Sequence, residues 1–151
     1  MLYATLFFSL VLVFLPARVL EWAGVSRPPQ IGAPQIAGGV LVVLGSGLAV
    51  WCVLTFGHLG RGTPAAFDPP RRLVIRGPYR FIRNPMYLGA GLALLGAALF
   101  YGAAALLGYA ALFLVATHVL VVTYEEPTLK RKFGAEYDAY RERVGRWWPV
   151  R

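Results

Sequence analysis

Acidic residues are scarce in this chain: seven Asp and Glu stand against fifteen Lys and Arg, for a formal charge of +8. That balance makes nucleic acid or an anionic membrane surface the first partners to weigh. Cysteine is almost missing. Cys52 stands alone inside an apolar run, so no disulfide can close within the chain, and without a cationic neighbour it reads as a buried structural thiol. Histidine is limited to His58 and His118, too few with one cysteine for a zinc site, and no metal is expected. Charge itself is missing from residues 1–17, 36–56 and 84–124. With 58% hydrophobic residues and a mean hydropathy of +0.58, an ordinary soluble domain is excluded.

What is present decides between the two anionic partners. The arginines flank long apolar runs instead of lining an amphipathic or aromatic-interleaved soluble face, so membrane lipids are expected and nucleic acid is not. Residues 1–17 would make a helix of about 25 Å, enough for a short or tilted span of a bilayer core of about 30 Å. A cleaved signal peptide is the competing reading, weakened because no Lys or Arg precedes the run. A short polar connection follows with Arg18, Glu21 and Arg27, and Trp22 as an interface anchor. The next run, Ile36 to Phe56, is a second span in which Gly38, Gly39, Gly45 and Gly47 permit close helix packing.

Gly57 to Arg83 is the most basic linker, with Arg61, Arg71, Arg72, Arg76, Arg80 and Arg83 against Asp68 alone, and its prolines prevent one continuous helix. The 41 uncharged residues between Arg83 and Glu125 correspond to roughly 60 Å of helix, twice a bilayer core, and so to a hairpin turning near Phe100, Tyr101 and Gly102. The sequence therefore predicts an all-α integral membrane protein, one domain over residues 1–151, with four transmembrane helices at about 2–17, 36–56, 86–101 and 103–124. Glu125-Glu126-Pro127 is expected to end the membrane pattern. A C-terminal amphipathic cytoplasmic helix over about 127–144 would present Leu129, Phe133, Tyr137, Tyr140 and Val144 along one stripe. It would lie on the interface or fold back over the linker, with Trp147-Trp148-Pro149 pinning its end. Arginine asymmetry puts the linker and both termini on the cytoplasmic side.

The stretch Gly77-Pro78-Tyr79-Arg80-Phe81-Ile82-Arg83-Asn84-Pro85-Met86-Tyr87-Leu88-Gly89 runs from polar chain into the third span. Asn84 suits an N-cap and Pro85 the first helical position. The helix start would aim free N–H groups beside Arg80 and Arg83, a setting for a carboxylate or phosphate, or simply for headgroups. Glu125 and Glu126 lie where a span meets the cytoplasm, at a helix end that disfavours negative charge. Two readings stay open: a structural ion pair with Arg80 or Arg83, or a bound cation. His118, seven residues earlier and on nearly the same helical face, is expected to point inward, as a core histidine or a pocket residue.

The pattern G-P-Y-R-x-x-R-N-P-M-Y-x-G, followed by Y-E-E-P-x-L-x-x-x-F-G-x-x-Y-x-x-Y-x-x-x-V-x-R-W-x-P, closely resembles the isoprenylcysteine carboxyl methyltransferase and phospholipid N-methyltransferase superfamily. Gly62-Thr63-Pro64-Ala65-Ala66-Phe67-Asp68-Pro69-Pro70 also looks like bacterial members, and the resemblance spans about Gly60 to Pro149. It implies an S-adenosylmethionine-dependent methyltransferase of the bacterial inner membrane acting on a lipophilic acceptor, which would enter from the bilayer. The resemblance maps the cofactor pocket to Arg83, Asn84, Pro85, Tyr87, Gly89, Glu125 and Glu126; Tyr79, as an aromatic surface for adenine or the sulfonium, and Leu88 complete the cofactor-binding candidates. His118, Arg83 and Glu125 are the catalytic candidates; for an amine acceptor, His118 or one glutamate would take a proton. Asn84 stands where many eukaryotic relatives have histidine, which favours a neutral contact there. A sterol-reductase-like NADPH-binding protein and a non-enzymatic lipid-binding scaffold are the alternatives.

Overall fold

Two pairs of glycines set the centre of the molecule. The computed structural model describes residues 9–26, 28, 30–59 and 72–150. Within them a π-helical turn, Leu10–Phe14, leads into α1, Leu15–Trp22; α2 is Ala33–Leu59, α3 Pro85–Tyr101 and α4 Ala104–Leu120. A π-helical turn, Val121–Glu125, then joins α5, Glu126–Phe133, and α6 is Ala135–Arg143. No strand occurs among the described residues, only an isolated bridge between Ile82 and Gly145. A Cβ on Gly38 would stand 2.6 Å from the Gly96 oxygen, and one on Gly45 2.5 Å from the Gly89 oxygen. Helices α2 and α3 therefore run antiparallel with their backbones in contact, as small residues permit where lipid gives no hydrophobic drive. Gly39 and Gly47, expected to share this role, have open space around them.

The third helix begins at Pro85 and turns back at Gly102, which closes it in the left-handed conformation (φ 62°) that glycine adopts without strain. The hairpin is the one expected from the uncharged run. Leu114 of α4 fills the space over Gly91, and the Tyr109 hydroxyl donates to the Val11 carbonyl at 2.7 Å. Val19 and Leu20 of α1 pack with Ala98, Ala103 and Leu106 beside the turn. The first helix continues past Ala17 to Trp22, so Arg18 and Glu21 are helical and ion-paired with each other instead of lying in a connection.

Two helices, Ala33–Gly57 and Ala104–Phe133, are long and apolar enough to cross a membrane, while Pro85–Tyr101 is a shorter apolar helix. The described residues are thus all-helical, with two helices able by length and composition to cross a membrane. Residues 2–8 of the expected first span, Arg27, Arg61, Arg71 and the Gly62 to Pro70 motif lie outside the described residues.

The C-terminal part departs from the sequence reading. The helix does not stop at Pro127: α4, the π turn and α5 form one continuous rod of 30 residues, about 45 Å long. The wider π turn lies directly before Pro127, where a proline ring would clash with the carbonyl four residues back in α geometry. The break comes at Gly134, whose φ of 51° is poorly tolerated by other residues. Across it, Leu129 and Phe133 of α5 join Tyr137, Tyr140 and Val144 in a cluster over Leu73. The expected apolar stripe is therefore real, but it is carried by two helices and folds back over the linker.

Candidate active site

The site is assembled where the start of α3 meets the end of the long rod and the C-terminal tail. Asn84 is the residue before α3, as expected, but its side chain does not cap the helix. Its amide donates instead to the Arg146 carbonyl at 3.3 Å. The neighbouring Arg83 N–H donates to the Gly145 carbonyl at 2.9 Å. The tail thus takes up groups that the sequence assigned to the helix start. Gly145 is required for this: a Cβ there would meet the Trp148 carbonyl oxygen at 1.9 Å.

Glu125 and Glu126, adjacent in sequence, have different environments. Glu126 is bound by two guanidiniums, Arg83 Nη1 at 2.9 Å and Arg146 Nε at 2.7 Å, with Arg146 Nη2 on its second oxygen at 2.9 Å. The Arg83 and Glu126 side chains are only 11% and 12% exposed, so this pair is buried and each partner depends on the other. The structural ion pair is therefore present with Arg83; Arg80 is exposed, its guanidinium 4.6 Å from the Phe81 ring centre. Glu125 accepts a hydrogen bond from the Tyr87 hydroxyl and has no cationic partner among the described residues. Neither carboxylate lies at a helix C-terminus, because the rod continues through both.

The remaining candidates fall around this pair. Arg83 Nη1 also donates to the Tyr137 hydroxyl at 3.1 Å, and Arg83 Nε is buried without a hydrogen-bond partner. Tyr140 donates to the Tyr79 carbonyl at 2.6 Å, which ties α6 to the 3₁₀ turn Gly77–Arg80. Burial pushes both the Tyr137 and Tyr140 hydroxyls up, so they remain neutral hydrogen-bonding groups. Tyr79, Met86 and Tyr87 pack with Cys52, Val74 and Val121, and Trp147 covers them. Pro85 is buried and Leu88 partly so. Gly89 is occupied by helix packing, with its missing Cβ filled by α2.

His118 is the clearest correction. It is exposed, not turned inward, and its Nδ1 accepts a hydrogen bond from the Trp147 indole at 3.1 Å. The π turn between His118 and Glu125 breaks the seven-residue phase relation that an α-helix would give them. Arg146, Tyr137, Tyr140 and Trp147 were not assigned to the site from the sequence. No local signal marked Arg146, whose partner Glu126 lies 20 residues earlier in the chain.

An all-helical membrane protein with a buried polar cluster at one end of its bundle is the class this architecture defines. The chain matches the phospholipid methyltransferase family over residues 34–136, and it belongs to that family of membrane methyltransferases acting on lipid-type substrates. It is also 38% identical over 62 residues to an uncharacterized protein of Haemophilus influenzae, an alignment covering 41% of this chain and 98% of that one. The matched region includes the start of α3 and both glutamates; Tyr137, Tyr140, Arg146 and Trp147 lie beyond it.

Proposed function

We infer that this chain transfers a methyl group from S-adenosylmethionine to a lipophilic acceptor at the cytoplasmic face of a bacterial inner membrane. Glu125 carries this reading. It is a partly buried carboxylate that the arginines among the described residues leave alone, because Glu126 engages Arg83 and Arg146. A low-dielectric site holding one uncompensated carboxylate suits a cation, and the donor's sulfonium and ammonium are cations. The donor's carboxylate needs hydrogen-bond donors, and Arg83 Nε is a buried one without a partner. The first turn of α3 adds the N–H groups of Met86 and Tyr87, since Pro85 at its first position has none. Glu126 does not fit a direct cofactor contact, since its oxygens are engaged by guanidiniums. Its role is to hold Arg83 in place.

Bound in this way, the cofactor supplies an activated methyl group on a good leaving group, and the protein's contribution is chiefly alignment. Tyr87 orients Glu125 through its hydroxyl. Tyr79 and Tyr87 offer aromatic surface beside a cation, worth about 0.5 to 2 kcal/mol. The water-soluble donor is taken to enter from the cytoplasm and the acceptor sideways from the bilayer. Labelled methyl transfer to a total lipid extract tests the activity. Calorimetry on Glu125→Gln tests the assignment: the expected result is at least a tenfold loss of S-adenosylmethionine affinity with the folded fraction retained. Unchanged affinity overturns it, and absence of both binding and transfer leaves a lipid-binding scaffold.

A further inference from the structure

One polar pair at this end of the molecule lies outside the network around Glu126. The Trp147 indole donates to His118 Nδ1 at 3.1 Å, with the ring centres 6.0 Å apart and the planes inclined by 32°. An indole nitrogen has a hydrogen to give and no lone pair to accept with. His118 Nδ1 is therefore the acceptor, and the neutral imidazole carries its hydrogen on Nε2. Trp147 is held in turn by the cluster of Cys52, Tyr79 and Tyr87, so the tautomer is set by the wall of the site.

Nε2 has no hydrogen-bond partner among the described residues, and His118 shares its surface with Val115, Val119 and Val122, all exposed. This is the surface of a helix long and apolar enough to cross a membrane, seven residues before Glu125, or about 10 Å along the axis. An N–H presented to lipid at that depth is costly unless an acceptor meets it. At the membrane surface the acceptors are water and the oxygens of lipids, and a bound lipid is the one that would hold an oxygen in place there.

We propose that His118 Nε2–H is the hydrogen-bond donor of a lipid-side subsite that takes a phosphate or ester oxygen of the methyl-accepting lipid. This rests on the methyltransferase reading. It reverses the general-base role expected from the sequence, because the nitrogen with the free lone pair is the one the indole occupies. Trp147 is a positioning residue that keeps the hydrogen on the outward nitrogen.

The test uses the full chain in maltoside micelles, which offer neither phosphate nor ester, with a total lipid extract as the acceptor source. His118→Phe is expected to raise the apparent KM for extract lipid about threefold to tenfold, the worth of one neutral hydrogen bond. Cofactor affinity stays unchanged and the pH profile parallel to that of the wild type. His118→Gln, whose amide can donate from nearly the same place, recovers most of the loss. A fall in kcat with KM unchanged, or no recovery by Gln, overturns the proposal. Added phosphatidylcholine separates the two sources of lipid oxygen. Equal competition in wild type and His118→Phe keeps the donor on the acceptor lipid; competition that vanishes in the variant assigns it to bulk phospholipid and overturns the subsite. Histidine ¹⁵N spectra stand apart from turnover. An Nε2–H signature that becomes mixed in Trp147→Phe and shifts on adding extract supports the donor even if no methyl transfer occurs, and an Nδ1–H signature in the wild type sinks it.

Discussion

Both ends of the helical bundle carry an arginine–glutamate pair, and the two pairs have little in common. At the end near the Gly102 turn, Arg18 and Glu21 lie one helical turn apart with side chains 46% and 60% exposed. At the other end, Glu126 is held by Arg83 from the start of α3 and Arg146 from the tail, both far from it in sequence. Water or headgroups can replace either partner at the first site. At the second, Arg83 and Glu126 have lost most of their solvent and depend on each other, while Arg146 keeps part of its own. The difference teaches that charge near a membrane protein's ends carries structural meaning only where tertiary contacts have removed the water.

The comparison can be broken most severely at Glu126. Glu126→Gln leaves two guanidiniums facing a neutral group, one of them buried, and is expected to cost about 3 to 5 kcal/mol, seen as a lower unfolding temperature in detergent. The middle of the bundle comes next. Gly45→Leu forces a side chain onto the α3 backbone, where a Cβ alone would be 2.5 Å from Gly89 O and Ala93 N. About 1 to 3 kcal/mol or more should be lost, because backbone atoms cannot move aside as side chains do. Gly47→Leu, two residues on but with nothing within 4 Å, should stay within about 0.5 kcal/mol of the wild type. If both leucines are equally disruptive, the α2–α3 contact is misassigned. The smallest effect is expected at the exposed pair: Arg18→Ala should change stability by about 1 kcal/mol or less and fade further with added salt. A loss there as large as that of Glu126→Gln would erase the distinction between the ends.

Much of this is legible in the amino-acid sequence, and the rest is hidden there for identifiable reasons. The uncharged run from Asn84 to Tyr124 announced a hairpin because charges rarely sit in hydrocarbon, and Gly102 marked its turn. The α3 start was readable from Asn84-Pro85, yet the partner of the Asn84 side chain was not. Its bond to the Arg146 carbonyl spans 62 residues, beyond the reach of any local rule. The Glu125–Glu126–Pro127 stop misled because proline usually ends a helix, whereas a preceding π turn can accommodate it. The same turn moved Glu125 off the face of His118.

The amino-acid sequence by itself determined that this chain is helical and lives in a membrane, and where polar chain gives way to apolar. Those properties follow from hydropathy and from the need to satisfy backbone groups locally. Only the tertiary structure decided which of two neighbouring glutamates is neutralised and which glycines carry the helix contact. It also decided which way His118 faces. Each of these depends on partners brought together from distant parts of the chain, and pairing at that range is a property of packing geometry.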